Sequence, residues 1–440
     1  MDTLTQKLLA FLDAIPSPCH TSHVLAERLE AEGYVPLWEK DSWELRPLGK
    51  YYVRRGGALL AFRLPKDAPT CAMIGAAHGD FPTFRVKPCA DEKRGGGLWG
   101  LSVEKYGGML CAPWMDRPLS LAGQAVIRTE GGIETRPVSI DRDLCIIPSV
   151  AIHMNRDANQ NASYNPARDM IPLWGTEAAK GALPRLLSEA LGVSEDAILS
   201  HDLFLYPRAA ATVLGAEGEL IAAPHLDDTA CVFALTEGFL SAPDSETLPI
   251  LAVFDNEEVG SSTKQGANST LLDSTLRRIM EGYGLGETAV DRMLAQSFLV
   301  SADNAHAVHP NHPEYADPNH APILGGGVAI KYNASQRYAT DGISAALFAE
   351  FCQMASAPYQ RYANRADLPG GSTLGSICTT RVGLTAVDVG LPQLAMHSCY
   401  ETAAVADTVS LVLAMQKIFA SRLEGEGGNF RIFTKEEAKA

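Results

Sequence analysis

The stretch LPILAVFDNEEVGSS, residues 248–262, runs from an apolar segment, Leu248 to Phe254, straight into two adjacent carboxylates, Glu257 and Glu258. A short unbroken apolar run closed by Asp, Asn and Gly reads as a buried strand of a helix-covered sheet. Carboxylates at the end of such a strand are costly: like charges repel, and burial disfavours ionisation. A cation offsets both costs, so the pair points to a site where one carboxylate binds metal and its neighbour handles a proton. Taken alone, adjacent Glu residues usually lie on solvated surface.

Four other segments also end an apolar run in metal-ligand residue types. CAMIGAAHGDFP carries His78 and Asp80, ELIAAPHLDDTACVFAL carries Asp227 and Asp228, QSFLVSADNAHAVHPN carries Asp303, and LPQLAMHSCYE carries His397 and Glu401. The pattern predicts an α/β fold with a mostly parallel, helix-covered sheet, whose carboxyl-terminal strand ends meet in one crevice. Imidazole and carboxylate donors without paired thiolates suit zinc or another divalent first-row metal. His78 and Asp80 lie two apart, so in extended chain they share a side, where such an Asp can accept the ring N–H of a ligating His, although an H-x-D pair alone more often has a structural role. Asp227-Asp228, ahead of the helical pattern TACVFALTEGFL, also fits a helix N-cap. Each segment has an ordinary structural explanation by itself; the five together do not.

AAHGDFPTFRVKP, HLDD, FDNEEVGSSTKQGANS, SADNAHAVHPNHPEY, GGGVAIKYNASQRYAT and AMHSCYE follow one another as in the aspartyl aminopeptidases. The chain resembles that acidic-residue-specific family of dinuclear zinc aminopeptidases over nearly its whole length. The resemblance implies a fold of the zinc-exopeptidase type. It implies two Zn2+ per subunit, with Co2+ or Mn2+ as alternatives. His78, Asp227 and Asp303 would hold one ion, and Asp227, Glu258 and His397 the other, with Asp227 bridging. Glu257 would be the general base, and Asp80 the partner of His78. Lys331, in VAIKYN, would meet the acidic side chain of the substrate. His153 would reach a neighbouring subunit's active site, within a homo-dodecamer. The chain departs from the family pattern at Gly79, Phe81, His225, Asp228 and Tyr400. None of these removes a ligand, but Asp228 adds a negative charge beside the bridge and His225 replaces a permanent positive one.

The 440 residues suffice for two domains, and 46% hydrophobic content supports real cores. The texture changes after Pro88: GGGLWGLSVEKYGGML and its successors are short, β-like and Gly-punctuated. Residues 89–223 therefore read as a β-rich insertion into an α/β domain, and the resemblance implies that it is an oligomerisation domain set into a catalytic domain made of 1–88 and 224–440. Helices are expected over 3–14, 22–32 and near 176–198, and the last stretch, from Gly425 on, reads as a polar tail. A net charge of −15 argues against nucleic acid and anionic membranes. No apolar run approaches the ~20 residues of a membrane span, and no signal-peptide pattern opens the chain. Nine cysteines, an odd number without C-x-x-C, suit a reducing cytoplasm. The histidines at 306, 309, 312 and 320, spaced by prolines, suggest a rigid substrate-facing loop. The resemblance thus implies removal of N-terminal Asp or Glu from peptides. The alternatives are a broad-specificity aminopeptidase or deacylase of the same clan, and an inactive self-assembling shell protein.

Overall fold

The computed structural model describes residues 2–426 and 428–434. At its centre, four strands run parallel in the order Leu248–Phe254, Ala72–His78, Phe298–Ala302 and Thr385–Gly390. Ala58–Arg63, Lys50–Arg55 and Val35–Leu37 extend this sheet beyond Leu248–Phe254, and Val328–Tyr332 and Tyr359–Ala363 extend it on the other side. Ala58–Arg63 and Val328–Tyr332 pair antiparallel to the central strands, so the nine-stranded sheet is parallel in the middle and mixed at its flanks.

The central strands are buried along their length because both faces are covered. Side-chain alternation divides them between two cores. Met73, Ala77, Leu251, Val253 and Val300 face one core, with helices Leu226–Ser241 and Val405–Phe419. Ile74, Ala76, Ile250, Ala252 and Leu299 face the other, with helix Leu271–Gly282. Gly75 marks a close approach: a Cβ there would sit 2.9 Å from the Phe419 ring and 3.0 Å from Met415.

A second, six-stranded antiparallel sheet is ordered Gly132–Ser139, Leu119–Thr129, Ile198–Pro207, Thr83–Lys93, Trp99–Tyr106, Leu173–Gly175. Its own core, around Phe84, Leu101, Leu121 and Leu203, is closed by Leu183, Leu186 and Leu187 of helix Ala182–Leu191. That helix is shorter than the span near 176–198 expected from sequence. Gly181 and Gly192, at φ 68° and 67°, bound it in left-handed conformations that glycine adopts without strain. A five-stranded sheet, Thr212–Leu214, Leu220–Ala223, Glu401–Ala404, Pro392–Leu394 and Ala305–His306, lies beside the crevice.

The first two helices are Thr3–Asp13 and Pro18–Ala31. The second begins earlier than expected, because Pro18 occupies its first turn, where a missing N–H costs nothing. The polar tail expected from Gly425 is, within the described residues, part of a hairpin pairing Arg422–Glu426 with Asn429–Phe433. Leu423 is buried, and Phe430 and Ile432 pack on the main core, a two-residue alternation hidden among polar neighbours. The expected tail residues 427 and 435–440 lie outside the described residues. No helix among the described residues is long and apolar enough to cross a membrane.

Candidate metal centre

Strand direction assembles the site. His78 ends its strand, Glu257 and Glu258 follow the end of Leu248–Phe254, and Asp303 follows Phe298–Ala302, all at one edge of the parallel centre. Asp227 and Asp228 open helix Leu226–Ser241 and are joined by a cis peptide bond. His397 arrives on the loop after Pro392–Leu394.

Ligand-type atoms of His78, Asp227 and Asp303 lie within 4.8 Å of one another, and so do those of Asp227, Glu258 and His397. Asp227 is common to both groups. Its Oδ1 is 3.7 Å from His78 Nε2 and its Oδ2 is 3.3 Å from His397 Nε2. Glu258 Oε1 lies 3.3 Å from His397 Nε2, and Glu257 Oε2 lies 4.0 Å from His78 Nε2. Asp227 Oδ1 and Glu258 Oε1 are buried without a hydrogen-bond partner. Two orphaned carboxylate oxygens among imidazole nitrogens fit divalent cations, and the donor set suits zinc.

The electrostatics agree. Burial, then Asp303, Glu258 and Asp80, push Glu257 up to about 8, against the pull of His78. Burial and Asp227 push Glu258 up to about 7. Burial also raises Asp303, and holds Asp228 and Glu401 well above the carboxylate range. Asp227 goes the other way: burial opposes its charge, but the hydrogen bond to His397 and the nearby His78 ring lower its pKa. These acids cannot all ionise together without added positive charge.

The candidate ligands are held by neighbours the sequence did not single out in those roles. Glu401 is buried and accepts the backbone N–H groups of Asp227, at 3.0 Å, and His397, at 2.7 Å. Asp228 Oδ2 accepts the N–H of His78 at 3.2 Å. The helix N-cap is His225, in a left-handed conformation and without a side-chain cap bond, rather than either aspartate. His225 stacks on Phe81 with ring centroids 4.2 Å apart, which pairs two of the departures from the family pattern.

Asp80 meets His78 through both its backbone and its side chain. His78 Nδ1 lies 2.9 Å from the backbone carbonyl of Asp80 and 3.6 Å from its carboxylate. That carboxylate also accepts the N–H groups of Glu257 and Glu258 and the hydroxyl of Tyr106. The carbonyl can orient the imidazole as a carboxylate would.

A cavity of about 300 Å³ opens over these groups and is walled on another side by Lys331, Tyr338 and Tyr362. Lys331 is 2% exposed, with Nζ 3.3 Å from Asp303 Oδ1 and 5.4 Å from the Tyr338 ring centroid. Burial works against its charge, but Asp303, Tyr338 and Asp388 keep its pKa above the usual lysine value. His306 lines the same cavity. His312 and His320 instead bond nearby acids, Glu314 and Asp317, each at 2.9 Å. His153 sits in an exposed turn and is not part of this cavity wall; Val150, Ile152 and Met154 around it are 60%, 48% and 82% exposed.

The family model described as aminopeptidase I zinc metalloprotease (M18) matches residues 11–419. A probable M18 family aminopeptidase 2 from Pseudomonas paraeruginosa is 42% identical over 431 residues, 95% of this chain and 98% of that protein. A chain from the cryo-EM structure of the Ape4 and Nbr1 complex superposes with a TM-score of 0.91 at 33% identity, covering 94% of this chain and 85% of that one. A chain of the mApe1 dodecamer of S. cerevisiae gives 0.84 at 26% identity, covering 95% and 96%.

Proposed function

The chain belongs to the M18 family of zinc aminopeptidases, and from that premise we propose that it removes N-terminal Asp and Glu residues from peptides. The observation that carries the acidic preference is Lys331, a buried ammonium in the wall of the cavity that holds the metal-ligand groups. A side-chain carboxylate entering that cavity would meet it with little water between them, where a charged hydrogen bond is strong.

His78, Asp227 and Asp303 would hold one zinc ion, and Asp227, Glu258 and His397 a second, with Asp227 shared. Bound there, the ions would supply Lewis acidity toward the peptide carbonyl and an acidified water. Glu257 takes the proton of the attacking water and delivers it to the leaving amine nitrogen. It must begin ionised; Asp303 and Glu258, two of the acids that raise its pKa, would be ligands of those cations. Glu401 orients two ligands through their backbones, and the Asp80 carbonyl orients His78.

Residues 89–223 would act as an oligomerisation domain inserted between the parts of the catalytic domain, 1–88 and 224–440. The exposed apolar turn around His153 and the dodecamer of the yeast relative support an assembly in which His153 serves a neighbour's site. All nine cysteines are free, which supports a reducing cytoplasm.

The test is metal content together with kcat/KM on Asp-, Glu-, Leu- and Lys-aminoacyl reporters. Two zinc ions per subunit and turnover of the Asp and Glu reporters at least ~10-fold above the others are expected, the size of one charged contact. Equal turnover of Leu and Asp reporters would overturn the acidic preference.

A further inference from the structure

We propose that Tyr106 is a positioning residue for the reaction: its hydroxyl fixes the Asp80 carboxylate that carries the Glu257-Glu258 backbone. Asp80 Oδ2 accepts the Tyr106 hydroxyl at 2.7 Å and the N–H of Glu258 at 3.2 Å, while Oδ1 accepts the N–H of Glu257 at 3.0 Å. The Tyr106 oxygen also accepts from Asn256 Nδ2 at 2.9 Å. One phenol therefore ties both sides of the turn that presents the two glutamates. Asp80 is fully buried, so each of these donors offsets part of the cost of its charge.

The tyrosine does not come from the sheet that bears the ligands. It ends the strand Trp99–Tyr106 of the six-stranded sheet, whose neighbouring residues close on the same site. Gly107, at φ 78°, approaches so closely that a Cβ there would lie 3.1 Å from Glu258 Cβ. Leu110 N–H donates to the carbonyl of His397 at 3.0 Å. Segment 106–110 thus braces a proposed base and two proposed ligands from a separate structural layer.

The inference rests on the reading of Glu257 as the base, and its test separates the two. Tyr106→Phe removes one oxygen and keeps the ring, which packs on Phe204 with centroids 5.7 Å apart. Tyr206→Phe, which loses a buried hydroxyl of the same sheet bonded to Ile140, is the control for a general effect on that sheet. Each variant is assayed for kcat, KM on an Asp reporter, zinc content and oligomeric state. Tyr106→Phe is expected to lower kcat by ~10-fold or more, in the range for residues that orient a reacting group. KM should stay within about two-fold, because the Lys331 wall is untouched, and zinc content should be unchanged. Tyr206→Phe should match wild type. Wild-type kcat for Tyr106→Phe, an equal loss in Tyr206→Phe, or a loss that follows zinc content would each overturn the proposal. Near-normal turnover of Glu257→Gln would instead remove the base assignment beneath it.

Discussion

The nine-stranded sheet and the six-stranded sheet contribute to the site in opposite ways. The first supplies His78 directly from a strand, and Glu257, Glu258 and Asp303 just beyond strand ends, with Lys331 on a flanking strand. Its central strands are clamped between two helical layers, so these side chains start from fixed backbone. The second sheet supplies none of these groups, yet its edge braces them through Tyr106, Gly107 and Leu110 and carries His153 on an exposed turn. In the proposed reading the chemistry is built on the most buried layer, while the brace and the assembly surface would come from the other. Damage to the first layer should abolish the reaction, and damage to the second should misplace groups or uncouple subunits.

The sharpest way to break this division is Glu257→Gln. It should lower kcat by ~10²–10⁴-fold, the usual share of a general base, while zinc content, read by mass spectrometry, stays at two per subunit. Near-wild-type turnover would show that the buried layer does not hold the base.

Mixed assembly sharpens the comparison from the side of the second sheet. His153→Ala and Glu257→Gln subunits, each nearly inactive alone, should recover activity when co-assembled. Some sites then join an intact Glu257 to a neighbour's intact His153, which can stabilise charge on the carbonyl. A fully active monomer by light scattering, or no recovery in verified mixed oligomers, would confine catalysis to a single chain.

The same division explains what was legible in sequence. Apolar runs ending in His, Asp or Glu fix both a strand and the edge where it stops, so the sequence alone places His78, Asp303 and the Glu257-Glu258 pair. It does not place their support. An H-x-D spacing does not say whether the ring nitrogen meets the Asp80 carboxylate or its carbonyl; that depends on three donors arriving from 106, 257 and 258. Glu401 reads as one more acid after a histidine, and only the fold turns its carboxylate onto two backbone N–H groups. Tyr106 reads as the end of an ordinary Gly-punctuated strand. The hairpin at 422–433 does not stand out in the sequence, because its alternation is short and one strand is mostly charged or glycine.

Substrate choice is tested most directly by Lys331→Ala, measured as the ratio of kcat/KM on Asp and Leu reporters. The lost ammonium should remove about 1.5–3 kcal/mol of binding to the acidic side chain. That is roughly a 10- to 150-fold fall in the Asp-to-Leu ratio, with turnover of the Leu reporter largely kept. An equal loss on both reporters would show that Lys331 supports Asp303 or the fold, and would contradict an active site built to choose acidic N-termini.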